Sequence, residues 1–413
     1  MKTLIRHIHS LVGVQDPKQP LRGQALAQLP SITDAFLLLE DDVIVRFGEM
    51  KDLDLTASEA DQVIEATDRF ILPAWCDSHT HLVFAVTREE EFVDKIKGAT
   101  YAEIAANGGG ILNSARKLQA CSEDELFERA MNRLHAAILL GTGAIEIKSG
   151  YGLSVEAELK MLRVIKRIKE QAPIPVRSSF LGAHAIPTLY KDDREGYLRL
   201  LIEEMLPVIG SEKLADYVDV FCEQGFFSPD ETSRILVAAA RYGLRPKIHA
   251  NQLSVSGGVE VGVQHQAISV DHLECMDDAA IDCLSASDTI GTLLPGCSLF
   301  LRAPYAPARA LVEKGAAIAL ASDYNPGSSP SYNMNLVLSL ACTQMRLLPE
   351  ESVNAATING AFAMELADQV GSVAVGKKAN LIMTKPMSSL AYLPYSFGEN
   401  VVERVMINGK FFS

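Results

Sequence analysis

The chain has 413 residues, 48% hydrophobic and 22% charged, which is enough apolar material for a large core and too long for one small domain. Its net charge is −14, from 38 basic and 52 acidic residues. The one charge cluster, "TREEEF", is mostly acidic, so a nucleic-acid or anionic-membrane surface is not expected. No stretch reaches the roughly eighteen uncharged apolar residues of a membrane span. The opening "MKTLIRHIHSLVGV" interrupts its apolar run with Arg6, His7 and His9 and has no small-residue cleavage site, so no secretory signal is expected. Seven cysteines are scattered without a C-x-x-C, the pattern of reduced thiols in a cytoplasmic protein.

In chain order, the first segment is strand-like. Its clearest part is "AFLLLEDDVIVRFG", two apolar runs around an acidic turn. The pattern then changes to strand, loop and helix in alternation. The strand-like runs are "RFILPAWCDSHTH", "GAIEIKSGYG", "SSFLGAHAIP", "VDVFCE", "PKIHANQ", "AISVDHLE", "TIGTLLPG" and "AIALASDYNPG". They are nearly continuous in hydrophobicity, as strands buried on both faces are. Between them, Ser122 with Glu125 forms a capping box before a helix that closes on Gly141, and Ser228, Pro229 and Glu231 open another that closes on Gly243. "VEAELKMLRVIKRIKE" puts Leu159, Leu162, Ile165 and Ile168 on one stripe. The end of the chain, "GSVAVGKKANLIMTKP" and "VVERVMINGKFF", is strand-like again, with Gly-Lys turns.

Eight such strands alternating with helices predict a parallel (β/α)8 barrel over residues 70–369, with 1–69 and 370–413 in a second, composite domain. A doubly wound open sheet is the competitor, but no G-x-G-x-x-G follows a first strand. Nearly every run ends in chemically capable residues, at the end where barrels build their sites.

The first run ends in "HTH". Residues i and i+2 of a strand share a face, so His79 and His81 can reach one ion. The fifth run ends with His249 and the eighth with Asp323, and a barrel brings all of these to one mouth. Three imidazoles and a carboxylate make a ligand set for one divalent metal, zinc or iron, with room for water. His7 and His9 form a second H-x-H, but they lie in the terminal segment without partner ligands and are read as structural. His272, ending the sixth run, is placed to stabilise an oxyanion; a fifth metal ligand or a structural histidine are the alternatives. Glu223 ends the fourth run, where a bridging carboxylate would stand if there were two metals.

These stretches, together with "TREEEFVDKIKGATYAEI", "NGGGI", "EIKSGYGL", "APYAPAR" and "SVNAATINGAFAM", resemble the amidohydrolase superfamily of mononuclear type, and within it the imidazolonepropionase family. The resemblance runs nearly to the C-terminus. It implies that the terminal segments form a small β-sandwich, that the protein is a homodimer, and that it opens the cyclic amide of 4-imidazolone-5-propanoate to N-formimidoyl-L-glutamate in histidine degradation. It also implies that Asp323 accepts a proton from water and passes it to the ring nitrogen. Arg88 would hold the substrate carboxylate, a role suited to a guanidinium fork, although it is equally readable as a solvated ion-pair residue among its acidic neighbours. Tyr151 and His184 would contact the ring and its carbonyl. Asn325, Gly327 and Ser328 would take the other carboxylate of the opened product, although Asn-Pro-Gly alone is simply a turn.

Gln252 separates this reading from a deaminase of the same superfamily, which uses H-x-x-E on the fifth strand. Here the stretch is "HANQ", and glutamine orients a ring by hydrogen bonds but cannot titrate. A dihydropyrimidinase-like hydrolase would want a carboxylated lysine on the fourth strand, where "DVFCE" has none. A non-catalytic binding protein on this fold would have lost ligands, and here all four positions are filled. The chain departs from the family at Val86, Asn113, Ser114 and Asn251, the last replacing a residue that is commonly acidic.

Overall fold

A computed structural model describes residues 1–54, 59–99, 103 and 109–413. Parts of "GATYAEI" and "NGGGI" therefore lie outside the described residues. Eight parallel strands form one sheet: Trp75–Asp77, Thr142–Lys148, Val176–Ala183, Tyr217–Cys222, Arg245–Ala250, Ser269–His272, Ile290–Leu293 and Ile318–Leu320, each paired with its sequence neighbours. All eight predicted runs supply one strand each. The first and eighth strands are three residues long, and the ring closes just beyond them through a parallel bridge between Thr80 and Tyr324. Two backbone hydrogen bonds make that closure, His81 N to Tyr324 O at 2.9 Å and Asp323 N to His79 O at 3.0 Å.

The run "RFILPAWC" divides. Phe70–Pro73 pairs with Ser10 and Leu11 and with Leu381–Met383 in a second sheet, and the barrel begins only at Trp75. Between them, Ala74 N bonds Asn380 O at 2.9 Å, which ties the switch to the C-terminal segment. The second sheet has eight strands drawn from both chain ends, with Lys2–Val12 at its centre and the hairpin Ser31–Glu40/Val43–Glu49 turning at Asp41 and Asp42. Its inner face gathers Ile5, Ile8, Leu37, Leu39, Ile71, Leu381 and Met406 into a core separate from that of the barrel.

The barrel helices start as their sequences dictate. Ser122 and Ser228 each accept a hydrogen bond from the backbone N–H three residues on, of Glu125 and Glu231, and both glutamates reach back to complete the box. The helix Val155–Gln171 buries Leu159, Leu162, Ile165 and Ile168, the stripe its spacing predicts.

Where barrel and second sheet meet, contact is close. A Cβ on Gly143 would lie 2.3 Å from Ala74 Cβ, and Asn380 Nδ2 donates to Gly143 O at 2.9 Å. Overpacking of this kind costs about 1–3 kcal/mol. Gly143→Ala should therefore lower the urea midpoint by a corresponding amount; an unchanged midpoint would show that the seam yields freely.

Candidate active site

The barrel interior beneath the mouth is charged rather than apolar. Glu146 and Lys148 from the second strand, Asp219 from the fourth, Lys247 from the fifth and Asp271 from the sixth are all fully buried. Lys148 Nζ lies 2.6 Å from Glu146 Oε1, 2.8 Å from Asp219 Oδ2 and 3.6 Å from Asp271 Oδ2. Lys247 pairs with the other oxygen of Glu146, and Ser179 Oγ donates to Glu146 Oε1 at 2.5 Å. Burial opposes the Lys148 charge, but Asp219, Glu146 and Asp271 outweigh it and hold the ammonium above its ordinary pKa. Asp219 is held well below the usual carboxylate range: burial works against its charge, but His249 and Lys148 prevail.

This layer carries the histidines. Asp271 Oδ2 is 2.6 Å from His79 Nδ1, which fixes the tautomer and turns His79 Nε2 to the mouth. Asp219 accepts from His249 N at 3.1 Å through Oδ1, and its Oδ2 lies 3.0 Å from His249 Nδ1, off the line of a well-formed hydrogen bond. Beside them, Asp77 takes Ser322 N at 2.9 Å and Ser322 Oγ at 2.6 Å, locking the first strand to the eighth. Burial raises the Asp77 carboxyl to about 7 against the pull of those bonds.

Asp323 Oδ1 stands 3.5 Å from His79 Nε2 and 3.6 Å from His81 Nε2. The His79 and His249 rings are 4.5 Å apart, and His81 and His249 are 5.5 Å apart. Two ligand-like groups meet on His79, one with His81 and Asp323, the other with His249 and His272. His79 Nε2 and His249 Nε2 are buried without a hydrogen-bond partner, and His81 turns its Nε2 toward the same Asp323 oxygen. Unpaired buried ring nitrogens are costly unless a ligand takes them, so these residues fit a divalent ion. Burial, reinforced by neighbouring cationic groups, holds His79 and His81 well below the ordinary imidazole pKa and keeps their lone pairs free.

The other expected residues surround this centre. His272 Nδ1 faces Glu274 Oε1 at 3.3 Å; burial opposes its charge, but Glu274 prevails and raises its pKa. Burial lifts the Asp323 carboxyl, with His272 and His249 opposing. The His184 ring stacks on His81 at 5.4 Å with Nδ1 3.1 Å from Gly150 O, and burial, aided by His249, brings its pKa down to about 3. The Tyr151 ring is 5.8 Å from His81 and 5.6 Å from His184. Gln252 Nε2 donates to Cys297 Sγ at 3.4 Å.

Arg88 forms an ion pair, although a largely buried one rather than the solvated one expected. Its Nε and Nη2 bind Glu91 Oε2 at 2.9 and 2.5 Å, yet Nη1 abuts Gly327, where a Cβ would lie 2.4 Å away. Only glycine lets the guanidinium come so close to the loop after the eighth strand. In that loop Asn325 Oδ1 takes the N–H groups of Gly327 and Ser328, both at 2.8 Å, and Ser328 Oγ is 3.3 Å from Asp323 Oδ2. Those N–H groups are therefore engaged by Asn325 here.

Two positions have architectural work. Glu223 Oε2 accepts from Leu253 N at 2.8 Å, and its Oε1 takes Ser254 Oγ, so this carboxylate shapes the loop bearing Gln252. Asn251 has φ 53 and accepts from Ser256 Oγ at 3.0 Å. His7 and His9 are exposed on the second sheet, and among the described residues they join no metal-ligating group. Sequence reasoning missed Lys148, Glu146, Asp219, Asp271, Lys247, Asp77 and Glu274. The available signal was charge within strands otherwise buried on both faces, as in "EIK", with Asp77 and Lys247 each two residues before a histidine.

A parallel barrel whose mouth gathers these histidines and a carboxylate defines the class. The family model described as "Amidohydrolase family" matches residues 70–412. The imidazolonepropionase of Flavobacterium johnsoniae is 53% identical over 411 residues, covering 99% of this chain and 100% of its own. That of Alkaliphilus oremlandii is 40% identical over 409 residues, covering 98% and 96%. The chain belongs to the amidohydrolase family, among the imidazolonepropionases. Among solved structures, a triazine hydrolase variant superposes with TM-score 0.75 at 15% identity, covering 99% of this chain and 94% of its own. A zinc-bound adenosine deaminase of Xanthomonas campestris gives 0.69 at 15%, covering 99% and 92%. At such identity these share the fold. Among the described residues no helix is long and apolar enough to cross a membrane.

Removing the central cation tests the charged layer. Lys148→Met leaves Asp219 and Asp271 without their ammonium and Glu146 with Lys247 alone, a loss of about 3–5 kcal/mol in urea unfolding. Stability at the wild-type level would show that the layer does not depend on its lysine.

Proposed function

We propose that the protein hydrolyses the ring C–N bond of 4-imidazolone-5-propanoate to give N-formimidoyl-L-glutamate, a step of histidine degradation. The observation that carries this reading is the convergence of three histidines and Asp323 beside Gln252, a residue that cannot titrate. His79, His81, His249 and Asp323 would hold one divalent ion, zinc or iron. When bound, the ion lowers the pKa of water so that hydroxide is available near neutral pH.

Asp323 takes the proton of the attacking water. Ser328 Oγ steadies it at 3.3 Å through Oδ2, which leaves Oδ1 turned to the histidines. As the C–N bond opens, Asp323 delivers that proton to the departing nitrogen. His272, whose pKa Glu274 raises against the effect of burial, donates a ring N–H to the oxyanion. Gln252, Tyr151 and His184 orient the ring. Arg88 grips the propionate carboxylate, and Asn325, Gly327 and Ser328 receive the one formed by hydrolysis as it takes over the N–H groups that Asn325 Oδ1 holds in the free protein. A deaminase would need an acid at position 252 to protonate its ring nitrogen, so that reading is not favoured. Seven unpaired cysteines support a cytoplasmic setting, and the family resemblance supports a homodimer.

Loss of imidazolone absorbance with freshly generated substrate is the direct assay; a metal-loaded protein that leaves this substrate unchanged would overturn the reading. His249→Ala is expected to lose both metal and turnover while its far-ultraviolet circular dichroism persists, and full activity would remove His249 from the ligand set. Arg88→Ala should raise KM roughly 10- to 100-fold with kcat less affected, the value of a charged hydrogen-bonding contact. An unchanged KM would place the carboxylate elsewhere.

A further inference from the structure

Beside the proposed catalytic centre lies a third group with ligand geometry. His272, Glu274 and Cys297 are all buried, and one ligand atom from each falls within 4.8 Å of the others. The three come from different places: His272 ends the sixth strand, Glu274 follows it, and Cys297 sits in the first turn of the helix Pro295–Leu301 after the seventh. Cys297 Sγ accepts from Gln252 Nε2 at 3.4 Å, and the remaining bonds of the group are long. Glu274 Oε1 has His272 Nδ1 at 3.3 Å and Ser298 Oγ at 3.4 Å, while Glu274 Oε2 is buried without any hydrogen-bond partner. A buried carboxylate oxygen left unpaired is an expensive arrangement in a protein interior, and here it belongs to a carboxylate grouped with a thiol and an imidazole. Nitrogen, oxygen and sulfur in one small cluster is a donor set for a thiophilic divalent cation. The proposed catalytic ligands contain no sulfur, so the two sets differ in the ions they favour.

We propose that His272, Glu274 and Cys297 form a second, inhibitory cation site that takes a thiophilic divalent ion, cadmium or excess zinc. On binding, the Cys297 S–H bond and the N–H bond of the His272 nitrogen that takes the ion both break, the two protons leave to solvent, and sulfur and nitrogen bond the cation, with no change in oxidation state. Glu274 and His272 complete the protein's share of the coordination. The ion draws His272 away from the oxyanion, and turnover falls. That inhibitory consequence rests on the role of His272 proposed above; the binding itself does not.

The test separates the two. The holoenzyme is titrated with cadmium chloride while thiolate-to-cadmium charge-transfer absorption is followed in the ultraviolet, a signal that histidine and carboxylate ligands cannot produce. The wild-type band should saturate at one added equivalent and be absent in Cys297→Ser. Glu274→Gln should keep the band but weaken cadmium binding at least about tenfold, as loss of a coordinating group does. An equal band in Cys297→Ser would assign the signal to another cysteine and overturn the site. In the absorbance assay, excess zinc should inhibit the wild type reversibly, with Cys297→Ser at least about tenfold less sensitive. Equal sensitivity in the two proteins would overturn the inhibitory role even where the band is lost.

Discussion

The site depends on a lysine buried at the centre of the barrel. Lys148 holds Glu146, Asp219 and Asp271 around one ammonium, and two of those carboxylates stand directly behind His249 and His79. In so low a dielectric, three carboxylates without a cation would repel one another, and the histidines above them would lose their fixed orientation. The charged layer thus does for the imidazoles what apolar packing does for core side chains. Burial is the main reason their rings stay neutral with open lone pairs, and the Lys148 ammonium adds to it.

Barrel closure and site assembly occur at the same place. The first and eighth strands are too short to close the ring along their length, and it is completed by the Thr80–Tyr324 bridge. His79, His81 and Asp323 flank that bridge. Asp77, two residues before His79, clamps Ser322, one residue before Asp323. Candidate ligands more than 200 residues apart in sequence are therefore held to each other by backbone hydrogen bonds rather than by flexible loops. Fixing donors on rigid elements keeps the reorganisation cost of binding small.

Around this rigid centre the loops position one another. Glu223, just past the fourth strand, holds the loop that carries Gln252. Asn325 folds its own loop into a compact turn that lets Gly327 lie against Arg88. Arg88 is itself oriented by Glu91, whose second oxygen takes Gly110 N at 3.0 Å. A guanidinium with one edge spent on a neighbouring carboxylate is pre-aimed, so less rotamer entropy is lost when its free edge meets a ligand.

Local pattern carried much of this organisation. The eight apolar runs are legible because strands covered on both faces cannot alternate, the capping serines because a helix must satisfy its first N–H groups, and "HTH" because alternate strand residues share a face. Gln252 in place of an acid is likewise a matter of residue chemistry. Three things were decided only by folding. The run "RFILPAWC" splits between two sheets because the C-terminal segment arrives to pair with its first half. Glu223 and Asn251 became loop supports because donors of the fifth-strand loop lie within their reach. Lys148 and its carboxylates look like ordinary charges on paper. Their place behind the histidines comes from the register of parallel strands, a long-range relation that no local spacing encodes.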